Sequence, residues 1–386
     1  MSWQECSPMD CRMQFVTEWR SGLFTMIELC AQYGISRTTG YKWTGRFINE
    51  GVAGLCDRSR RPRGHPATTP PEIVAAVLAA RQRFPDWSGH KLVQWLARHE
   101  PGRPWPRRTT AYEILRRAQA VRRRRPRARR PLRAGSALHG AQAPNEVWTT
   151  DFKGEFLTGN GCWCHPLTVR DAYSRRVLRC DALLAQTYAE TRRRFERAFA
   201  EFGLPARIRS DNGRPFVSTG LAGLSRLNVW WLRLGIQLER IAPGHPEQNG
   251  SHEQFHAVLK KATTRPPAAN ARAQQRRFDA FCTLYNEQRP HDALQGRVPA
   301  DLYVPSHRPL PARLPILDYA PHHQVRTVAS NGDVMWRGRR LFVSAALATL
   351  RIAFEEVDDA LYTVWLGGVA LARFDARQWR LTSVLR

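Results

Sequence analysis

The sequence predicts an α/β core, with helical domains before it and a small all-β domain after it. Residues 146–152 and 206–210 are runs rich in β-branched, aromatic or apolar side chains, and each leads to an aspartate, as strand ends do. Residues 251–259 repeat apolar side chains at helical spacing. After residue 305, short strand-like runs separated by Asn and Gly predict β-strands joined by turns.

The first sixty residues carry the pattern of a helix-turn-helix unit. Residues 27–33 predict a packing helix, Gly34 and Ile35 form the turn, and Ser36 would cap a second helix. The residues that the second helix would present to a DNA major groove are Arg37, Thr38, Thr39 and Lys42. The residues expected behind it are Tyr41, Trp43 or Phe47. A three-helix bundle without a DNA-binding role is the alternative, and the basic segment that follows favours DNA binding.

A second, less regular helix-turn-helix unit is predicted over residues 67–120. Residues 87–96 and 109–117 have helical patterns, and Pro101, Pro104 and Pro106 separate them. Residues 121–140 then form a Pro-interrupted arginine-rich linker without acidic residues, which should stay extended and follow DNA phosphates. Its arginines include Arg122, Arg123, Arg124 and Arg125.

Asp151, Asp211 and Glu253 are candidate ligands for divalent metal ions. Two are predicted at strand ends, and Glu253 is predicted in the first turn of a helix that Ser251 and Gln254 open with a capping box. Mg²⁺ and Mn²⁺ prefer oxygen ligands, and two ions about 3.5–4 Å apart can promote in-line phosphodiester chemistry. Glu247 is the alternative third acid, but its Pro-flanked loop is a poor support for a ligand.

The segment between the second and third acids is long. Residues 220–234 have an amphipathic helical pattern, and we expect this helix to accommodate the extra length on the surface. In the last part, residues 310–386, Asn331 and Gly332 predict a hairpin, and further strands are expected at 340–343, 349–354, 361–365 and 370–374.

Composition is consistent with a nucleic-acid partner. Sixty Lys and Arg against 33 Asp and Glu give a net charge of +27, which favours binding to phosphates. The eight cysteines show no disulfide spacing, and Cys162, Cys164 and His165 fit strand packing better than a zinc site. No long apolar stretch, secretory start or ATP-binding loop is present, so we expect a cytoplasmic, nucleoid-associated protein that uses neither membrane nor ATP.

Several ordered motifs resemble those of integrase-core transposases of bacterial insertion sequences, which are relatives of retroviral integrases. These motifs are Trp148-Thr-Thr-Asp151-Phe-Lys, Ser210-Asp-Asn-Gly213, Pro246-Glu-Gln-Asn-Gly-Ser-His-Glu253-Gln-Phe-His and Tyr285-Asn-Glu-Gln-Arg-Pro-His291. The resemblance is closest over residues 141–305, and the nearest subgroup is insertion-sequence family four-eighty-one. It implies a ribonuclease-H-like catalytic core over 141–305 and a small SH3-like barrel over 310–386, preceded by helix-turn-helix domains over 1–60 and 67–120.

The resemblance also implies an activity. Asp151, Asp211 and Glu253 would be the catalytic triad that holds two Mg²⁺ or Mn²⁺ ions, and Asn249 and Lys260 would face the DNA end. The chain would bind terminal inverted repeats, nick the element ends and join the 3′-hydroxyls to target DNA, acting as a homo-oligomer in a synaptic complex. The alternatives are a catalytically silent DNA-binding regulator, a nuclease that never joins ends, and an architectural DNA-binding protein.

Overall fold

The structure is a computed structural model that describes residues 7–59, 68–121, 140–218, 220–241 and 250–384. The chain forms two compact units that divide after Pro70. The predicted DNA contacts Arg122, Arg123, Arg124, Arg125 and Asn249, and the alternative acid Glu247, lie outside the described residues.

The first unit consists of three helices followed by a 3-10 turn. The helices are α1 (Pro8–Ser21), α2 (Met26–Gln32) and α3 (Arg37–Glu50). Ser36 caps α3 as predicted, because its hydroxyl accepts a hydrogen bond of 3.2 Å from the amide of Thr39. The buried core residues are Phe15, Val16, Leu29, Cys30, Trp43 and Leu55. Tyr41 was expected in this core, but its side chain is 62% exposed, because it lies on the outer face of α3.

The second unit begins with another three-helix domain. Its helices are α4 (Pro71–Arg83), α5 (Gly89–His99) and α6 (Arg108–Arg117). Ser88 caps α5 by accepting a hydrogen bond from the Lys91 amide. Phe84 stacks on Trp87 with ring centroids 4.0 Å apart, and both belong to an aromatic core that also contains Trp95.

A mixed β-sheet forms the centre of the second unit. Its strands are β1 (Val147–Phe152), β2 (Phe156–Leu157), β3 (Trp163–Asp171), β4 (Val177–Leu183), β5 (Arg207–Ser210) and β6 (Gln237–Arg240). The strands β1, β3 and β4 pair antiparallel, whereas β5 pairs parallel to β1 and β6 pairs parallel to β5. Helix α7 (Tyr188–Phe202) connects β4 to β5 and packs on one face. Within β3, Cys164 is buried, and Trp163 is 51% exposed.

The helix expected on the surface over 220–234 is instead part of the core. Helix α8 (Arg226–Arg233) follows a short 3-10 turn, and a capping box of Ser225 and Asn228 starts it. Trp231 is fully buried against the sheet. Leu224, Val229 and Leu232 join a second cluster with the C-terminal strands. The predicted helix is present, but both of its faces contact apolar residues, so it is not at the surface.

Two helices cover the other face of the sheet. Helix α9 (Gly250–Thr263) and helix α10 (Ala271–Glu287) bury Phe255, Leu259 and Phe281 against β3 and β4. The predicted capping box of Ser251 is wrong, because α9 already includes Gly250 and Ser251 lies inside the helix. The Ser251 hydroxyl accepts a hydrogen bond from Arg175, and its carbonyl accepts one of 3.0 Å from Arg170.

The C-terminal part is a β-domain. A five-stranded antiparallel sheet has the order β13-β12-β11-β10-β7, and β8 and β9 form a separate hairpin. The strands are β7 (Gln324–Thr327), β8 (Asp333–Trp336), β9 (Arg339–Phe342), β10 (Arg351–Asp358), β11 (Leu361–Leu366), β12 (Val369–Asp375) and β13 (Arg380–Ser383). Asn331 and Gly332 form a turn, but the strands on either side pair with other strands. Arg337 and Gly338, both with positive φ, form the β8–β9 turn instead. Strand β13 was not predicted.

Polar contacts join the α4–α6 domain to the sheet region. Arg98 donates two hydrogen bonds, of 2.6 and 2.7 Å, to the carboxylate of Asp301. Lys91 donates to the carbonyl of Pro290 at 2.7 Å, and Lys261 on α9 lies 2.6 Å from Asp86. Within the described ranges, no helix is long and apolar enough to cross a membrane.

Candidate active site and nucleic-acid interface

Asp151 and Asp211 lie at the same level of two neighbouring parallel strands. Thr150 of β1 pairs with Ser210, the last residue of β5, and each aspartate is the next residue along the chain. Adjacent strands are about 4.7–4.9 Å apart, so the two carboxylates emerge side by side at the carboxyl ends of β1 and β5. The Asp151 side chain is 15% exposed, so it is mostly enclosed by protein but keeps some contact with solvent.

The Asp211 carboxylate lies in a turn that leaves little room for a side chain at position 213. Asn212 donates a hydrogen bond of 2.9 Å to the carbonyl of Ile241, which fixes the bend after β5. A Cβ atom on Gly213 would lie 2.9 Å from Asp211 Oδ2. Burial raises the pKa of Asp211 above its usual range, and a hydrogen bond from the Gly213 backbone opposes the rise. Oδ1 of Asp211 is buried without a hydrogen-bond partner in the described structure.

Glu253 is exposed in the first turn of α9, on the sheet face that carries Asp151. The neighbouring turn of that helix reaches the strand, because His256 Nδ1 lies 3.8 Å from Asp151 Oδ2. The structure therefore places the helix of the third acid beside the first. The ligand oxygens of Asp151, Asp211 and Glu253 do not all come within 4.8 Å of one another.

A buried network fixes α9 against the strands. The Thr168 hydroxyl donates to the carbonyl of Asp151 at 2.9 Å, and it contacts Nε2 of His252 at 2.7 Å and Nε2 of His256 at 2.8 Å. Nδ1 of His252 also lies 3.0 Å from the hydroxyl of Thr149.

Burial favours the neutral form of both histidines of this network. Burial lowers the pKa of His256 to about 3, with a smaller contribution from Lys153. Burial also lowers the pKa of His252 well below its usual range, and the proximity of His256 adds to the effect. The imidazoles therefore act as hydrogen-bonding groups that set the position of α9, and they add no charge beside Asp151.

Lys153 lies near the first aspartate, and Lys260 lies near Lys153. Burial lowers the pKa of the half-buried Lys153, the nearby Lys260 lowers it further, and Asp151 raises it. Lys260 itself is exposed on α9, seven residues after Glu253 and on the same helical face. This face thus presents a carboxylate and an ammonium group to solvent.

The outer face of α3 carries the predicted DNA contacts of the first unit. Arg37, Thr38 and Lys42 are exposed, whereas Thr39 is half-buried and bonded through its hydroxyl to Ser36 at 2.9 Å. Tyr41 is exposed on this helix as well. Arg12, Lys42 and Arg46 surround the ring of Trp43, with Arg12 4.0 Å from its centroid. The surface is basic and aromatic.

The α6 helix of the second unit has a similar character. Exposed residues on and just before it are Arg107, Arg108, Thr109, Tyr112, Arg116 and Arg117. Tyr112 is 51% exposed. Arg116 is partly neutralised, because it pairs with Glu113 at 2.7 Å.

Comparison with known proteins identifies the family. Residues 141–246 and 234–299 match the integrase core domain, residues 12–63 match a helix-turn-helix domain, and residues 39–115 match a homeodomain-like domain. The chain is 32% identical over 249 residues to the 31.7 kDa protein of insertion element IS407 from Burkholderia multivorans. That match covers 61% of this chain and 82% of the relative. This chain belongs to the integrase-core proteins of insertion elements.

A second relative of this integrase-core protein is the 39.2 kDa protein of insertion element IS476 from Xanthomonas euvesicatoria. The identity is 28% over 198 residues, which covers 51% of this chain and 55% of the relative. The α/β part is therefore a ribonuclease-H-like integrase core preceded by helix-turn-helix domains, as the sequence motifs predict. The assignment to family four-eighty-one stays a prediction.

Solved structures similar to this integrase-core protein include retroviral integrases. The HTLV-2 integrase catalytic core domain in complex with magnesium is 16% identical with a TM-score of 0.34, and the match covers 42% of this chain and 99% of that one. A simian T-cell lymphotropic virus intasome subunit is 18% identical with a TM-score of 0.37, covering 71% of this chain and 92% of that one.

Sequence reasoning missed the residues that support the integrase site. Thr168, His252, His256 and Lys153 were not predicted as functional residues. Two of them had a usable signal, because His252 and His256 are four residues apart and flank Glu253, a spacing that puts both on one face of a helix. No sequence pattern marked Thr168, because its contact with Asp151 depends on the pairing of β1 with β3.

Proposed function

We propose that this integrase-core protein is a DNA transposase. It binds the terminal inverted repeats of its element, nicks the element ends and joins the freed 3′-hydroxyls to target DNA. The observation that carries the proposal is the placement of Asp151 and Asp211 on adjacent parallel strands, with the helix of Glu253 packed on the same face. This arrangement lies inside an integrase core domain.

The residues of the site fit a pair of divalent cations. Asp211 Oδ1 is a buried anionic atom without a protein partner in the described residues, which is unfavourable unless a cation or water binds there. Oxygens that bind different ions of a pair can be about 8 Å apart, given ligand distances of about 2.1 Å and an ion separation of about 3.5–4 Å. The oxygens of the three carboxylates need not lie within 4.8 Å of one another to bind a pair of Mg²⁺ or Mn²⁺ ions.

The protein groups have distinct tasks in this reaction. When bound, two metal ions would activate the attacking water or 3′-hydroxyl and stabilise the leaving oxygen. Asp151, Asp211 and Glu253 would hold those ions. The Thr168, His252 and His256 network fixes α9 against β1 and β3, and it would thereby hold Glu253 on the side of the sheet that carries Asp151. Lys260, Lys153 and Asn249 would contact the phosphates of the DNA end.

The helical surfaces would supply DNA recognition. Arg37, Thr38, Thr39 and Lys42 of α3 would read the terminal repeat, and α6 would extend the contact. The arginines Arg122 to Arg125 would follow the phosphate backbone between them and the core. A synaptic complex of several copies would bring two element ends together.

Replacement of a metal ligand tests the function directly. A labelled duplex carrying the DNA that flanks the gene is incubated with a plasmid target and Mg²⁺, and nicked and joined products are counted. We expect Asp151→Asn to lower both products by at least about a thousandfold, because the neutral amide is a poor ligand for Mg²⁺, while binding to the duplex is kept. The matched control is Asp279→Asn on α10, which neutralises an exposed aspartate and should have no effect.

The other outcomes separate the alternatives. Nicking without joining by the unsubstituted protein would identify a nuclease. Binding with no products under Mg²⁺ or Mn²⁺ would identify a silent DNA-binding regulator. Loss of duplex binding in Asp151→Asn would show that Asp151 supports the fold, and the proposed catalytic role would be wrong.

A further inference from the structure

We propose that His322, His323 and Glu355 form a zinc-binding site on the C-terminal β-domain. Nε2 of His322 lies 3.6 Å from Glu355 Oε1, and Nε2 of His323 lies 3.8 Å from the same oxygen. One ligand atom from each residue lies within 4.8 Å of the other two, the one such group of three among the described residues. This site is independent of the three acids of the integrase core.

The distances between the histidine nitrogens and Glu355 Oε1 are too long for hydrogen bonds, but they suit ligands of a shared metal ion. A hydrogen bond from an imidazole to a carboxylate needs about 2.7–3.2 Å, so neither contact is a hydrogen bond. In a tetrahedral zinc site with ligand distances of about 2.0–2.1 Å, neighbouring ligand atoms are about 3.3 Å apart. The two separations between the histidines and Glu355 are therefore within about half an ångström of those in a zinc site, and the two histidine nitrogens lie within 4.8 Å of each other.

The surrounding residues orient two of the ligands. Trp365 Nε1 donates a hydrogen bond of 2.8 Å to Glu355 Oε2, which leaves Oε1 directed to the histidines. The ring of His323 is nearly parallel to that of Trp365, with an interplanar angle of 12°, and its side chain is only 12% exposed. Strand pairing adds to this order, because β7 begins directly after His323 and Gln324 pairs with Phe354. A preformed ligand set binds an ion with less loss of entropy.

The ligand types select the metal. Two imidazoles and one carboxylate, with a fourth position open to water, form a set that zinc uses in proteins. Mg²⁺ prefers oxygen ligands alone and would bind here poorly. Nδ1 of His323 is buried without a hydrogen-bond partner in the described residues, so we expect weaker binding than in zinc sites whose imidazoles are all supported by acceptors.

Zinc at this position would fasten the segment before β7 to the sheet. That segment is already attached through Tyr319, whose hydroxyl donates to the carbonyl of Arg351 at 2.5 Å and accepts from the Gly367 amide at 3.2 Å. Binding to the folded state alone raises stability. The β-domain should therefore be more resistant to unfolding when zinc is present.

Zinc titration of the full, untagged chain tests the site. The protein is freed of metal with a chelator and titrated calorimetrically in excess Mg²⁺, which occupies the core carboxylates. We expect one zinc ion per chain to bind at this site, and Co²⁺ in its place to give the strong visible absorption of tetrahedral coordination. His322→Ala and Glu355→Gln should weaken this binding by at least about 100-fold, and Trp365→Phe by about 10–100-fold.

The control variants distinguish a metal site from an ion pair. His307→Ala removes another exposed histidine and should leave zinc binding unchanged. His322 is 65% exposed, so its alanine variant should keep the circular dichroism and melting temperature of the metal-free protein. Unchanged zinc affinity in His322→Ala, or no zinc binding by the unsubstituted chain, would overturn the proposal and leave a cross-strand pair of histidine and glutamate.

Discussion

Single residues at the end of β5 show how the backbone positions Asp211, one of the proposed metal ligands. Asp211 receives a hydrogen bond from the Gly213 backbone, and the Asn212 side chain donates one to the carbonyl of Ile241, directly after the neighbouring strand β6. Gly213 does not need an unusual φ here. It is needed because a larger residue would collide with the carboxylate that the turn presents.

Gly213→Ala should therefore damage the activity while keeping the fold. The added Cβ would lie 2.9 Å from Asp211 Oδ2 and displace that oxygen, and a shift of about 1 Å in a reacting group can reduce a rate about 100-fold. End nicking should fall by that order, with duplex binding unchanged. Gly154→Ala is the matched control, since no atom lies within 4 Å of its new Cβ. Equal activity in the two variants would contradict this account of the turn.

Sequence patterns could predict the candidate site residues only where they lie at the end of a strand or in a turn. Asp151 and Asp211 end strands and could be placed next to each other once parallel pairing was assumed. The buried partners of α9 could not, because Thr168 comes from a third strand and its hydroxyl satisfies groups that are 17 and 84 residues away in sequence. Local patterns carry no information on such contacts.

Helix α3 is the element on which duplex recognition should depend most. Its cap, its buried Trp43 and its exposed basic residues were predicted from local sequence, and the structure agrees except at Tyr41. Periodicity alone left Tyr41, Trp43 and Phe47 as candidates for the core. Because Tyr41 is exposed, it adds an aromatic ring to the outer face of α3.

Lys42→Ala should weaken duplex binding by removing one phosphate contact. We expect the slope of log K against log salt concentration to decrease by about one, with a similar loss for all duplex sequences. Fluorescence anisotropy over a salt series measures both quantities. Arg58→Ala serves as a charge-matched control in the same unit, because Arg58 is paired with Glu50. An unchanged salt slope in Lys42→Ala would exclude this lysine from the interface.

Element prediction was least successful where tertiary partners decide the outcome. Residues 226–233 form a helix as expected, but the sequence could not show that two different apolar clusters cover it. The Asn331-Gly332 turn formed, yet the strands beside it do not pair with each other, because β7 pairs with the distant β10 and β8 pairs with β9. Strand registers depend on these long-range pairings, and the SH3-like closure of this domain stays a prediction.

On the scale of the second unit, buried cations connect the α4–α6 domain with the integrase core. His291 lies in this region, and burial together with Lys91, Arg289, Arg170 and Arg175 lowers its pKa to about 3. Lys91 also reaches the carbonyl of Pro290. A proton on His291 would add another positive charge to a site that is already basic.

Stability should consequently decrease in mild acid. The unfolded chain protonates His291 near pH 6.5, whereas the folded chain resists protonation down to about pH 3, so the stabilisation is complete above pH 6.5 and is lost progressively as the pH falls. Between pH 6.5 and 5 this single group should lower the free energy of unfolding by about 1.5 kcal/mol. Urea unfolding of the unsubstituted protein and of His291→Gln measures the difference, and an identical pH dependence in both would refute it.

Helix α8 has a consequence for how this protein can be divided. Trp231 packs in the hydrophobic core of the α/β sheet, and Leu232 packs in the hydrophobic core of the C-terminal β-domain. One short helix therefore contributes to two cores. A fragment cut near residue 305 would leave Leu224, Val229 and Leu232 bare to water and prone to aggregate. The C-terminal β-domain is thus a fixed part of the second unit, and a substitution on one side of α8 constrains the packing on the other.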